Sequence, residues 1–168
     1  MCIRDRCNVA ATVSKLGGKS EMITQLGNDA FGDIIVETIE QLGVGTQYIK
    51  RTNKANTALA FVSLQDDGQR DFSFYRKPSA DMLYQPENID DIKVFQDDIL
   101  HFCSVDLIES DMKYAHEKMI EKFESVGGTI VFDPNVRLPL WEDKLECQRT
   151  INAVSYTHLR AHETRGNI

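Results

Sequence analysis

The sequence predicts an α/β fold in which a parallel sheet is flanked by helices and a β-hairpin stands apart from it. Three observations carry this. Residues 99–132 run strand, helix, strand, the order of a βαβ unit whose strands are parallel neighbours. Residues 57–76 hold two β-rich runs around an Asp-Asp-Gly turn, the pattern of a hairpin. Elsewhere apolar residues recur at helical spacing and stop at glycines.

In chain order, Val9, Val13 and Leu16 share a helical face ended by Gly17-Gly18, so a short buried helix is expected from Asn8 to Leu16. Asn8 then starts that helix, where its amide and unpaired helix N–H groups coincide. Met22 to Leu26 reads as a strand. A second helix follows, capped by Asp29, with Ile34, Ile35, Ile39 and Leu42 on one side and Gly43 closing it. Thr57–Leu64 and Asp71–Arg76 form the hairpin around Asp66-Asp67-Gly68, and a polar connection spans Pro78 to Pro86. Ile99–Ser104 is a buried strand, and Ser110 opens a helix carrying Met112, Ala115, Met119, Phe123 and Val126 before Gly127-Gly128. Thr129–Phe132 is another buried strand, ended by Asp133-Pro134-Asn135. Val154 to Ile168 show neither apolar face nor strand alternation and are expected to lie outside the domain.

The 168 residues, 42% hydrophobic and 27% charged, match one domain of ordinary size. No run approaches the roughly 18 apolar residues of a membrane span, and no signal-peptide core follows Met1–Arg6. A soluble, cytoplasmic protein with no membrane partner is expected. With 19 basic and 26 acidic residues the net charge is −7, which repels a phosphate backbone and argues against nucleic acid. Cys2, Cys7, Cys103 and Cys147 have neither C-x-x-C spacing nor the density of a disulfide framework, as in a reducing compartment.

In parallel α/β sheets ligands bind beyond the carboxyl ends of the strands, which singles out the loop Asp133–Trp141. There Arg137 offers a planar fork of donors to an anion, and Asn135 a donor and an acceptor to a hydroxyl; the structural alternative is a turn capped by Asp133 and paired with Arg137. Phe74-Tyr75-Arg76-Lys77 sets two cations beside aromatic rings at a strand end, suited to closing over a polar ligand or, equally, to packing on the domain. His158 and His162 stand four apart beside Glu163, but no third ligand supports a zinc site, and no metal site is expected. His101 reads as an interior or strand-end residue and His116 as an outward one. A phosphate loop of the Walker type is absent.

Asn8-Val-Ala10, Gly17 and Gly27-Asn-Asp29-Ala-Phe31-Gly32 together resemble the N-terminal signature of the PfkB (ribokinase-like) carbohydrate kinases. Thr57–Phe61, Gly68–Phe72, Phe74–Leu83 and Asp133–Trp141 are similar to the fructokinase branch. The resemblance implies an incomplete ribokinase-like parallel sheet with residues 56–77 as a β-hairpin lid, and phosphoryl transfer from ATP, with Mg²⁺, to a ketohexose hydroxyl. It implies that Asn8, Tyr75, Arg76 and Arg137 bind the sugar, that Asn135 and Arg137 reach the ATP side, and that the lid pairs with a second subunit as a homodimer. Gly27 and Gly32 are expected to serve the backbone around the lid. Two departures matter: the diglycine before Cys7-Asn8 is missing, and so is the Gly-Ala-Gly-Asp segment whose Asp is the family's general base. The chain is therefore expected to be catalytically silent, with residues 7–153 forming a truncated kinase domain. Residues 1–6 and 154–168 resemble translated sequencing-adapter sequence and are expected to be non-native. The alternatives are a 2-keto-3-deoxygluconate kinase fragment, whose acidic substrate would suit Arg76 and Arg137, and a non-catalytic sugar-binding or dimerisation module.

Overall fold

The computed structural model describes residues 3–64, 70–141 and 143–157, through which helices and short strands alternate. The expected turn at Asp66-Asp67-Gly68 and the pair His158/His162 with Glu163 lie outside the described residues. Helix α1 (Ile3–Lys15) leads to strand β1 (Thr24–Gly27), helix α2 (Ala30–Gln41) and strand β2 (Ile49–Thr52). Strands β3 (Leu59–Leu64) and β4 (Arg70–Tyr75) form the hairpin. Strand β5 (Ile99–Cys103), helix α3 (Asp111–Val126), strand β6 (Thr129–Asp133) and helix α4 (Lys144–Thr157) complete the order.

Among the described residues the strands lie in three pairs. β1–β2 and β5–β6 are parallel, with Leu26 opposite Arg51 and Phe102 opposite Phe132, while β3–β4 is antiparallel, with Leu59 opposite Tyr75. The structure thus has two βαβ units where the sequence predicted one. Ile49-Lys50-Arg51-Thr52 pairs along β1 with charged side chains half-buried, so it lacks the apolar run that marks a parallel strand.

The first unit packs Leu26, Ile35, Ile39 and Val44 against Cys7 and Ala11 of α1. This corrects the expected face of α1. Cys7 and Ala11 are four apart on one side and turn inward, whereas Val9 and Val13 follow each by about 200° of rotation and face solvent, with Leu16 83% exposed. Ile34 likewise points outward on α2, while Asp29 caps that helix as expected. The main core gathers on the second unit. Phe102 stacks against Phe132 at 5.1 Å, and Met112, Ala115, Met119, Ile120 and Phe123 bury the inner face of α3. Gly127 ends α3 at φ 73°, left-handed backbone that favours glycine.

The polar connection after the hairpin is more ordered than expected. It folds into two short 3₁₀ turns, Ala80–Leu83 and Pro86–Ile89, that bury Ala80, Tyr84 and Ile89. The expected domain limits do not coincide with element ends: α1 starts at Ile3, and α4 runs to Thr157 with Val154 buried in the main core. No described helix is long and apolar enough to cross a membrane.

Candidate functional site

The carboxyl end of β5 runs into a 3₁₀ turn, Ser104–Leu107, whose four residues are all buried. The hairpin comes down on this point. Phe74 of β4 packs against Cys103, Val105 and Leu140. The next residue but one, Arg76, is 6% exposed and donates from Nη1 to the Val105 carbonyl at 3.3 Å. Its Nε and Nη2 both reach Asp81 Oδ2, at 2.8 and 2.6 Å. The other Asp81 oxygen accepts from Ser79 Oγ. Arg76 was expected to contact the sugar; in the structure its guanidinium is committed to Asp81 and to the β5 turn.

The strand entering the hairpin is fastened elsewhere. Asp29 Oδ1 accepts from Gly32 N at 2.9 Å and caps α2, while Oδ2 accepts from Thr57 N at 2.8 Å, just ahead of β3. Thr57 Oγ1 in turn accepts from Gly27 N at 3.0 Å. Burial pushes the Asp29 carboxyl up, but the hydrogen bonds from Thr57 and Gly32 outweigh it and hold the group below the usual carboxylate range. A Cβ on Gly27 would strike the Asp29 carboxylate and stand 2.7 Å from Thr57 N, and one on Gly32 would stand 2.5 Å from the Gly27 carbonyl. Both glycines therefore serve close backbone packing at the root of the hairpin, as expected. Gln25, buried in β1, adds a hydrogen bond of 2.8 Å to the Ala80 carbonyl beyond the hairpin.

The remaining expected site residues lie around this root. Tyr75, the last residue of β4, is 65% exposed and meets Phe61 edge-on at 5.4 Å. Beyond β6, Asp133 Oδ1 accepts from Asn135 N at 3.1 Å, and Asn135 adopts φ 25°. Arg137, half-buried, leads into the turn Leu138–Leu140 with Nη1 on the Val136 carbonyl at 3.3 Å. Arg76, Asn135 and Arg137 thus follow or touch the carboxyl ends of the neighbouring strands β5 and β6. Asn8 is a correction: the helix begins at Ile3, so Asn8 lies in the second turn of α1, exposed, with its carbonyl accepting from Thr12 Oγ1. It has no helix-start N–H groups to offer.

Sequence reasoning missed Asp81, whose partner is set by the turn between them, and Gln25, a polar residue inside a strand. It also placed His116 outward. The imidazole is half-buried, Nδ1 donates to the Met112 carbonyl at 2.9 Å, and Nε2 faces the buried Asp106 carboxylate at 3.7 Å. Cys7, Cys103 and Cys147 are buried and outside any disulfide, and the Cys103 thiol donates to Asp106 Oδ2 at 3.8 Å. Burial pushes the Cys7 thiol up, and burial with Glu146 does the same to Cys147, which keeps both in the unreactive form. Among the described residues no three His, Cys, Asp or Glu side chains gather as a metal site.

Parallel βαβ units overhung by a hairpin at their carboxyl ends are the ribokinase-like arrangement, and sugar kinases of that fold match this chain among solved structures. The chain belongs to the pfkB family of carbohydrate kinases, whose family model matches residues 5–165. It is similar to probable fructokinase-4 of Arabidopsis thaliana, 40% identical over 147 residues that cover 88% of this chain and 45% of that one. The fructokinase of Vibrio cholerae O395 with fructose, ADP and calcium superposes with a TM-score of 0.79 at 32% identity, covering 89% of this chain and 48% of that one. The fructokinase of Xylella fastidiosa with bound ATP gives 0.71 at 36% identity, covering 82% and 44%. The chain spans about half the length of the curated relatives it matches.

Proposed function

We propose that this chain is the sugar-side portion of an ATP-dependent fructokinase-like kinase, which transfers the γ-phosphoryl group of ATP to a ketohexose hydroxyl. The observation that carries the reading is the hairpin seated by Phe74 and Arg76 on the carboxyl end of β5, beside the Asn135–Arg137 loop beyond β6. That is where a parallel α/β sheet receives a ligand. Fructokinase relatives at about 40% identity, and a neighbour holding fructose and ADP, support the substrate class.

In this reading Tyr75 lies over the sugar as part of the lid, and Asn135 and Arg137 orient sugar oxygens and the approaching phosphates. Asn8 contributes its amide only from the exposed side of α1. Arg137 supplies fixed positive charge, the kind of stabilisation that phosphoryl transfer needs. The reaction forms a bond from the sugar oxygen to phosphorus, breaks the bond to ADP, and requires a base for the hydroxyl proton. ATP and a divalent cation would belong to the whole kinase, a reading supported by the Xylella fastidiosa neighbour with bound ATP and the Vibrio cholerae neighbour with ADP and calcium. The Gly-Ala-Gly-Asp segment that would bring the base is not in this sequence. A coupled ADP-release assay with fructose and ATP tests this: the 168-residue chain is expected to turn over no faster than a no-enzyme blank, and measurable turnover refutes its silence. A cytoplasmic location is part of the same proposal, supported by buried cysteines outside any disulfide.

Phe61, Val62 and Tyr75 are exposed on the hairpin, which supports a second role for it as the contact with another subunit. Light scattering tests that role: a dimer lost on Phe61→Ser is expected, and a monomer refutes it.

A further inference from the structure

We propose that Asp81 is a specificity-determining residue: by neutralising Arg76 at the root of the hairpin, it reserves the sugar site for an uncharged substrate and excludes a sugar acid. The proposal rests on the ketohexose reading and deepens it.

Arg76 lies at the carboxyl end of β5, the region where parallel α/β sheets receive ligands, and the planar fork of an arginine matches a carboxylate edge. In this chain the fork is already filled. Nε and Nη2 both hold Asp81 Oδ2, and Nη1 holds the Val105 carbonyl. Arg76 is 6% exposed and the Asp81 side chain 16%, so the pair is withdrawn from water and carries no net charge. Asp81 cannot simply turn aside. Ser79, itself buried, hydrogen-bonds its other oxygen. The turn that carries it is pinned twice: Ala80 N donates to the Asn56 carbonyl at 2.9 Å, and the Ala80 carbonyl accepts from Gln25 Nε2 at 2.8 Å. A sugar carboxylate reaching Arg76 would therefore sit against a second anion held in place, a like-charge contact that disfavours binding. A sugar hydroxyl meets no such penalty.

The test is calorimetric titration of the 168-residue chain with fructose and with 2-keto-3-deoxygluconate, in the parent, in Asp81→Asn and in the double variant Arg76→Gln/Asp81→Asn, with circular dichroism to verify folding. In the parent, fructose is expected to bind at least tenfold more tightly than the sugar acid. Asp81→Asn leaves the Arg76 charge uncompensated and is expected to raise affinity for the sugar acid, relative to fructose, at least tenfold. The double variant is neutral again and is expected to keep the parent ratio within twofold. A folded Asp81→Asn chain with the parent ratio, or with no affinity for the sugar acid, overturns the proposal. Should Asp81→Asn fail to fold, the double variant decides. A fivefold loss of the sugar acid relative to fructose, or no binding at all, overturns the proposal, because the Arg76 charge would then have been facing the substrate. If fructose gives no heat with the parent, the ketohexose reading falls, while the sugar-acid titration of Asp81→Asn against the parent still decides the role of Asp81.

Discussion

Replacing Asp29 tests the root of the hairpin most directly, because one carboxylate makes two fastenings. Asp29→Ala removes the cap on α2 and the acceptor for Thr57 N. A lost N-cap costs about 1 kcal/mol, and a second hydrogen bond to a partly exposed carboxylate adds about 1 more once water has replaced it. Together they amount to about 2 kcal/mol, or a fall in melting temperature of about 4–8 °C for a chain of this size. Asp29→Asn keeps a good capping oxygen and loses the charge, so about half that cost is expected. Urea melts followed at 222 nm, at pH 7 and at successively lower pH, give the measurement. The sign is set by the lowered pKa of Asp29. Its stabilisation is complete above the unfolded carboxylate value near 4 and fades as pH falls through the lower folded value. The gap between parent and Asp29→Ala should therefore narrow on acidification. Equal stability at pH 7, or a gap that widens in acid, refutes the reasoning.

Tyr84 is fully buried, its hydroxyl has no hydrogen-bond partner, and burial followed by the nearby Asp91 pushes its pKa up to about 12. Tyr84→Phe is expected to be more stable by about 1 kcal/mol in thermal melts. Because the unfolded phenol ionises near 10, the parent should lose stability from there through about pH 12 while the variant escapes that loss; parallel alkaline limbs would contradict it. Gly127→Ala meets nothing closer than Gln96 at 4.0 Å, so only the left-handed backbone opposes it, and a loss of about 1 kcal/mol in urea midpoint is expected; no loss would show that the helix end had rearranged. Phe102→Ala opens a hole between Phe132 and α3 and should cost about 3–5 kcal/mol, visible as loss of cooperative unfolding at 37 °C, and a cooperative transition retained there would be the contrary result.

The second βαβ unit was legible because its signals are local: apolar residues at helical spacing from Met112 to Phe123, a glycine stop at 127, and short apolar strands on either side. β2 was hidden because Ile49-Lys50-Arg51-Thr52 pairs through its backbone and keeps its charges half in water. α1 was recognised as a helix but turned the wrong way, since its large residues Val9 and Val13 face out while small Cys7 and Ala11 make the contact. At the site, Arg76 was legible as a residue type beside aromatic rings. What it touches was not, because the Asp81 contact exists only once the turn through Pro78 and Ala80 has closed and been pinned by Gln25. The same holds for His116, whose partner Asp106 comes from the turn after β5 and not from its own helix.

The hairpin's two legs stand on different ground. The incoming leg is tied through Thr57 and Asp29 to the first βαβ unit, and the outgoing leg through Arg76 to the Val105 carbonyl of the second. The turn beyond β4 is also held to β1, through Gln25 and the Ala80 carbonyl, so the hairpin and its turn join the two units and are seated only where both are folded.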